Sequence, residues 1–174
     1  MAGRKSRARD SQLEAIKGAI MLEIHGLRFY QVAADRCTNR VAKELFQDLA
    51  QDELSHRAEL ERQFRHVLEK EKAAPMPSAE AKDLRFKDPV IGADLKELVG
   101  DAWFDSAALS IGVMLEKKAM NYYRRRQRSV RDPQLEALFE WLSNWEKSHL
   151  NRLMALERAM REEIWNQARF WPLD

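Results

Sequence analysis

The sequence predicts an all-α protein, a four-helix bundle made of two helical hairpins joined by one long connection. Only six glycines and five prolines occur in 174 residues, which is too little turn punctuation for a β-sandwich. Apolar residues recur at steps of three and four along most of the chain, which is the helical period. The composition, 45% hydrophobic and 33% charged, suits a single globular domain of this length.

The four helices are expected, in chain order, at residues 11–36, 41–71, 101–129 and 133–168. Thr38 or Asn39 is a suitable N-cap for the second helix, and Pro133 suits the first position of the fourth. A connection of about thirty residues is long enough to return the third helix to the far end of the bundle. The bundle then occupies residues 11–169, in the following segments: a basic, disordered N-terminus (1–10), a first hairpin (11–72), a connection (73–100), a second hairpin (101–169) and an aromatic tail (170–174).

Charge and hydropathy exclude several classes of partner. A formal net charge of +2 gives no global field for nucleic acid, so no nucleic-acid partner is expected. No apolar run approaches the roughly 20 residues that span a bilayer, and no secretory signal is visible, so we expect a cytoplasmic protein without membrane contact. Cys37 is the single cysteine and is predicted to be a small side chain in the core without chemistry.

The two predicted hairpins repeat each other. A shift of 93 positions aligns them without gaps, and it places like residues on like residues: Glu23 on Glu116, Tyr30 on Tyr123, Glu53 on Glu146 and His56 on His149. Such a repeat predicts two hairpins related by a pseudo-two-fold axis.

Helix geometry turns the repeat into a site. Glu23 and Glu53 lie equally far on either side of Thr38, so at 1.5 Å of rise per residue they face each other about 22 Å from the turn. Each Glu-x-x-His pair lies on one face of its helix. Four carboxylates and two imidazoles should therefore converge, and four buried carboxylates repel one another unless cations lie between them.

This ligand set, with one Glu from each of two helices and a Glu-x-x-His from each of the other two, is that of ferritin-like dimetal proteins. Hard carboxylates with one imidazole per ion favour iron, with manganese as an alternative. We predict that Glu53 and Glu146 bridge the two ions, and that one terminal pair completes each ion: Glu23 with His56, and Glu116 with His149.

Four further residues near this set are interpreted separately. Tyr30 and Tyr123 each follow a ligand glutamate by seven residues, so we expect them to donate hydrogen bonds to carboxylates rather than only to pack. His25 and His66 are predicted to lie outside the ligand set, since one points to another face of its helix and the other lies too far along the axis.

Residues 45–56, LFQDLAQDELSH, together with Glu23 and Tyr30, resemble the rubrerythrin-like branch of the ferritin superfamily. The second hairpin carries the same elements: Glu116, Tyr123 and residues 146–149, EKSH. The resemblance covers about residues 11–160. It implies a non-haem diiron centre that reacts with hydrogen peroxide or dioxygen, in a homodimer or larger homo-oligomer.

Two departures from that family limit what the resemblance implies. Many rubrerythrins carry a four-cysteine rubredoxin domain that delivers electrons, and the single Cys37 cannot form one, so an external electron donor is expected. They also carry an extra glutamate one turn after the third-helix ligand. Here that position is Ala119, matched by Gly26 in the first hairpin, so the site is expected to be symmetric, as in bacterioferritin.

The main functional hypothesis is a diiron oxidoreductase of the peroxidase or oxidase type. One alternative is a ferroxidase or iron-storage protein, which would use the same centre to oxidise iron before passing it on. A less favoured alternative is a diiron monooxygenase, which needs a substrate channel and usually a membrane-binding surface.

Overall fold

Four long α-helices make up the part of the chain that the structure describes, residues 2–76 and 102–167 of a computed structural model. They are α1 (Ala2–Arg36), α2 (Arg40–Lys70), α3 (Ala102–Ser129) and α4 (Pro133–Gln167). The predicted all-α, ferritin-like four-helix bundle is confirmed. None of the described helices is long and apolar enough to cross a membrane.

The start of α1 differs from the prediction. Residues 2–10, expected to be disordered, continue α1 as helix. Arg, Lys and Ala favour the helical state, and once a packed helix exists each added residue extends it with little further loss of entropy. Arg9 also pairs with Glu71 at the end of α2, with Nη1 3.4 Å from Oε1. The basic segment therefore lengthens the first helix.

The helices run up, down, down and up. Tyr30 of α1 contacts Glu116 of α3, while Tyr123 contacts Glu23, so α1 and α3 are antiparallel. The helices α2 and α4 are also antiparallel, because Asp52 pairs with His149 and Asp48 with Arg152. It follows that α2 and α3 run in the same direction, which requires the predicted crossover. Residues 77–101, most of that connection, and the tail at residues 170–174 lie outside the described residues.

Two aspartates fasten the ends of the hairpins. Asp105 of α3 accepts from the backbone N–H of Asn39 at 2.9 Å, in the turn between α1 and α2. Asn39 itself caps α2 by accepting from the N–H of Ala42 at 2.8 Å, as the sequence suggested. At the other end of the bundle, Asp132 accepts from the N–H of Gln134 at 2.9 Å and from that of Ala73 at 3.0 Å. The two hairpins are thus joined by hydrogen bonds at both ends of the bundle.

The core consists of two apolar clusters separated by a polar layer. One cluster surrounds Phe46 and Leu109, and the other surrounds Ile16 and Phe139. Fully burying side chains of this kind contributes about 1.5–3 kcal/mol each. The layer between them holds the buried glutamates and histidines, which are therefore shielded from water along the bundle axis.

Candidate metal centre

All six predicted ligands meet in the polar layer. Each helix contributes at that level: α1 and α3 supply Glu23 and Glu116, while α2 and α4 each supply a Glu-x-x-His pair. Every one of the six side chains is buried. Their convergence follows from helix register, since the two hairpins have arms of matching length on either side of their turns. Metal binding by these residues stays a prediction.

The six residues form two overlapping groups. Glu23, Glu53, His56 and Glu146 make one group, and Glu53, Glu116, Glu146 and His149 the other; within each, the four ligand atoms lie within 4.8 Å of one another. Glu53 and Glu146 belong to both groups. This is the arrangement needed for two ions that share two bridging carboxylates.

The imidazole Nδ1 atoms face the carboxylates. His56 Nδ1 lies 3.2 Å from Glu23 Oε2 and 4.0 Å from Glu146 Oε1. His149 Nδ1 lies 3.3 Å from Glu146 Oε2 and 3.6 Å from oxygens of both Glu53 and Glu116. Each ring therefore directs Nδ1 towards the ligand glutamates and Nε2 away from those glutamates.

The two tyrosines cross from one hairpin to the other. The hydroxyl of Tyr30 on α1 donates to Glu116 on α3, and that of Tyr123 on α3 donates to Glu23 on α1. Both tyrosines are fully buried. Burial and the nearby glutamates raise the pKa of both phenols well above the ordinary value, so they remain protonated donors.

The four carboxyl groups divide by pKa. Burial opposes ionisation of Glu23 and Glu116, but it is outweighed by hydrogen bonds from Glu53 and Glu146 respectively, then by His56 and His149, and last by Tyr123 and Tyr30. The pKa of both carboxyl groups is therefore lowered. Burial, followed by the charges of neighbouring glutamates, raises the pKa of Glu53 and Glu146 well above the ordinary value. Without cations, burial and mutual repulsion therefore favour a proton on Glu53 and Glu146 over one on Glu23 and Glu116.

His149 joins this charge balance. Burial disfavours its cation, but Glu116 and then Asp52 and Glu146 overcome that effect and raise the pKa of the imidazole well above the ordinary value. Protons on His149, Glu53 and Glu146 thus limit the negative charge of the metal-free layer. Divalent cations would displace them, because metal ligands bind in their deprotonated forms.

Several buried atoms in this layer fit a metal ion. Among the described residues, neither carboxylate oxygen of Glu146 nor the Nδ1 of His149 has a hydrogen-bond partner. Unpaired buried polar atoms cost about 1–3 kcal/mol each, so such a group calls for an ion or water. Carboxylate and imidazole donors together suit iron or manganese.

A small opening reaches this layer between α1 and α3. A cavity of about 30 Å³ is lined by Glu23, Glu53 and Glu116 together with Gly26 and Ala119. One water needs roughly 10–15 Å³ measured in this way, so the cavity has room for a molecule of two heavy atoms. Leu22, Leu115, His25 and Lys118 also line it. His25 is thus exposed at the opening and not among the converging ligands, as expected.

The opposite side, between α2 and α4, holds residues that the sequence analysis missed. His149 Nε2 lies 3.2 Å from Asp52 Oδ2. The rings of Trp141 and Trp145 each pack edge-on against His56, with centroids 5.3 Å apart. The shift of 93 positions that aligns the ligands places Asp52 on Trp145. This mismatch within the repeat is the feature of the sequence from which the difference between the two halves could have been predicted. The expected symmetry holds for the ligands but not for their neighbours, because these positions carry different chemistry.

The remaining histidine and the cysteine lie apart from this layer. His66 is half-buried, and its Nδ1 lies 2.8 Å from the carbonyl oxygen of Lys72. Cys37 is buried in the turn after α1, where burial and then Asp105 raise the pKa of its thiol far above the ordinary value. A thiol held in its protonated form is a poor nucleophile and ligand.

Residues 4–64, which cover most of the first hairpin, match the family model described as Rubrerythrin. This part of the chain is similar to the rubrerythrin family. This match spans α1 and the part of α2 that holds Glu53 and His56. The second hairpin lies outside this match and is linked to the first by the internal repeat and by the geometry of the shared layer. Comparisons with curated proteins and with solved structures gave no significant match.

Proposed function

We propose that this protein is a non-haem diiron oxidoreductase that reacts with hydrogen peroxide, dioxygen or both. The observation that supports it is the pair of buried ligand groups that share Glu53 and Glu146. Two divalent ions would neutralise four carboxylates in a buried layer. Manganese satisfies the same donors, and iron is proposed because the rubrerythrin-like hairpin accompanies the ligand set.

In this proposal Glu23 and His56 complete one ion and Glu116 and His149 the other, with Glu53 and Glu146 between them. A bound iron pair would supply two electrons, one from each ion, which is what the reduction of one peroxide to two waters requires together with two protons. An external one-electron donor of the protein or small-molecule class would then restore the reduced state. The single Cys37 cannot hold a rubredoxin-type iron in these 174 residues.

The side chains around the layer would have distinct roles. Tyr30 and Tyr123 hold the terminal carboxylates in one orientation through their hydroxyl groups. Gly26 and Ala119 leave room beside Glu53 for a small oxidant. The two apolar clusters exclude water from both ends of the layer along the bundle axis, which strengthens each electrostatic contact inside.

Metal content tests the proposal. After anaerobic loading with ferrous iron and removal of excess, we expect about two ions per chain and a change in visible absorption when peroxide or dioxygen is added. His56→Ala with His149→Ala in one chain is the control and should retain helicity but lose both ions. Iron content near zero in the unsubstituted protein, with stability indifferent to chelator, would contradict the proposal.

The choice of oxidant has its own test at Ala119. This position lacks the glutamate that the family uses to shift an iron between ligands, so both ions should stay in place and dioxygen should compete with peroxide. We expect Ala119→Glu to increase the preference for peroxide in stopped-flow oxidation, with Ala119→Gln as the uncharged control. If the unsubstituted protein ignored dioxygen and Ala119→Glu changed nothing, the argument from the missing glutamate would be wrong.

A further inference from the structure

The two halves of the polar layer differ on the side where α2 and α4 meet. His149 directs Nε2 at Asp52, 3.2 Å away, and a carboxylate can only accept, so Nε2 carries a proton and donates it. Nδ1 is thereby left to face the carboxylates. Arg152 lies beside this acid, with Nη1 3.8 Å from the same Asp52 oxygen.

Among the described residues, His56 has no corresponding acceptor. Its Nε2 is buried and lacks a hydrogen-bond partner among the described residues. The position equivalent to Asp52 is Trp145, and the position equivalent to Asp48 is Trp141. Both indoles pack against the His56 ring, and an indole N–H can donate but cannot accept.

This difference bears directly on metal affinity. A carboxylate that accepts from the outer nitrogen fixes the ring and its tautomer and makes the inner nitrogen a stronger ligand. Loss of such a partner typically weakens metal binding by about 10–100-fold. The second half of the layer, with Glu116 and His149, has this support. In the part of the chain that the structure describes, the first half, with Glu23 and His56, lacks it.

We propose that the two metal positions are unequal: the position of His149, oriented by Asp52, binds its ion first and more tightly, and that of His56 fills last and empties first. Asp52 is a positioning residue that acts through His149. This inference rests on the proposed function for the existence of two positions, but it concerns their order and needs no turnover to be tested.

The test uses Co²⁺, which reports binding through its visible absorption without redox chemistry. In His56→Ala, one position remains, and Asp52→Ala added to it should weaken Co²⁺ binding by about 10–100-fold. In His149→Ala, the same Asp52→Ala should change the dissociation constant by less than about threefold. Using one position at a time removes any cooperativity between the ions.

Asp48→Ala is the matched control. Asp48 lies one turn from Asp52 on α2 and also pairs with Arg152, with Oδ2 2.9 Å from Nη2, but among the described residues no hydrogen bond or ion pair joins it to His149. It should leave both constants nearly unchanged. Asp52→Asn, which retains an acceptor of the same shape, should restore part of the affinity and serves if the alanine variant folds poorly by circular dichroism.

The outcomes separate the two proposals. Two ions bound by the unsubstituted protein, with equal losses from Asp52→Ala in both single-histidine backgrounds, would overturn the inequality and leave the dimetal proposal intact. An unsubstituted protein that binds no Co²⁺ and no Fe²⁺ would overturn the proposed function and the inequality with it. A loss confined to the His56→Ala background, with Co²⁺ bound more tightly by His56→Ala than by His149→Ala, would support the order proposed.

Discussion

The side of the polar layer formed by α1 and α3 differs from the side formed by α2 and α4. On the α1–α3 side the two hairpins match. Tyr30 and Tyr123 each donate a hydrogen bond to a glutamate of the opposite hairpin, and the small residues Gly26 and Ala119 line the opening. On the α2–α4 side the ligands repeat but their neighbours do not, since Asp52 corresponds to Trp145. Equal ligands therefore do not make equal positions, because outer contacts set the orientation and basicity of each ring.

The largest effect should come from a shared carboxylate. Glu146 belongs to both ligand groups, whereas Glu116 belongs to one. We expect Glu146→Gln to weaken binding of both ions, by at least about 100-fold, since loss of a ligand should exceed the 10–100-fold cost of an outer partner. Glu116→Gln should mainly affect one. Equal Co²⁺ isotherms for the two variants would show that Glu146 does not bridge.

Substitution of the two tyrosines tests whether their hydrogen bonds on the α1–α3 side contribute equally to the free energy of unfolding. Replacing either hydroxyl removes one donor from a buried carboxylate, so Tyr30→Phe and Tyr123→Phe should each lower the free energy of unfolding by about 1–3 kcal/mol. Urea denaturation of the metal-free protein measures both. Tyr122→Phe is the control, since Tyr122 donates to the backbone carbonyl of Ala15, at 2.8 Å, and not to a glutamate. Costs that differ widely between Tyr30 and Tyr123 would contradict the symmetry.

The stability of the metal-free protein should depend on pH through Glu53 and Glu146. Glu53 and Glu146 have a raised pKa in the folded state, so the native protein binds more protons than the unfolded chain above about pH 4.3. His149, also raised, contributes stability that is lost as pH rises above about 6.5. We therefore expect the urea midpoint to fall between about pH 5 and about pH 8. Glu53→Gln should flatten the decline, and a midpoint that rises in this interval would refute the assignment.

The smallest effect is expected at the opening. A Cβ on Gly26 would lie 3.1 Å from Glu53 Cδ, so Gly26→Ala should displace that carboxylate slightly and narrow the cavity, at a cost of about 1 kcal/mol. Oxidation of the iron-loaded protein should slow severalfold. Gly112→Ala is the matched control, because its Cβ would crowd Leu153 at 3.2 Å instead. Equal rates for both variants would place the oxidant's entry elsewhere.

The sequence predicted the inner layer better than its surroundings. Ligand positions could be found because helix periodicity and a constant shift determine which glutamates and histidines share a level. The partners of those residues depend on rotamers and on packing between helices, which periodicity does not describe. Asp52 reaches His149 across the α2–α4 contact, and Asp105 reaches the backbone of Asn39 in a turn of the other hairpin. The helical state of residues 2–10 was missed because composition alone suggested a solvated, disordered segment.

The bonds made by Asp105 and Asp132 have a consequence for how the molecule could be divided. Each ties one hairpin to the other, at opposite ends of the bundle, and each ligand group draws residues from both hairpins. Neither hairpin alone contains a complete group. A chain cut within residues 77–101 would therefore become a pair of complementary fragments, joined by the apolar clusters and fastened by whatever ion the layer binds. If metal binding promotes reassembly, metal uptake could then be measured as association of the two fragments.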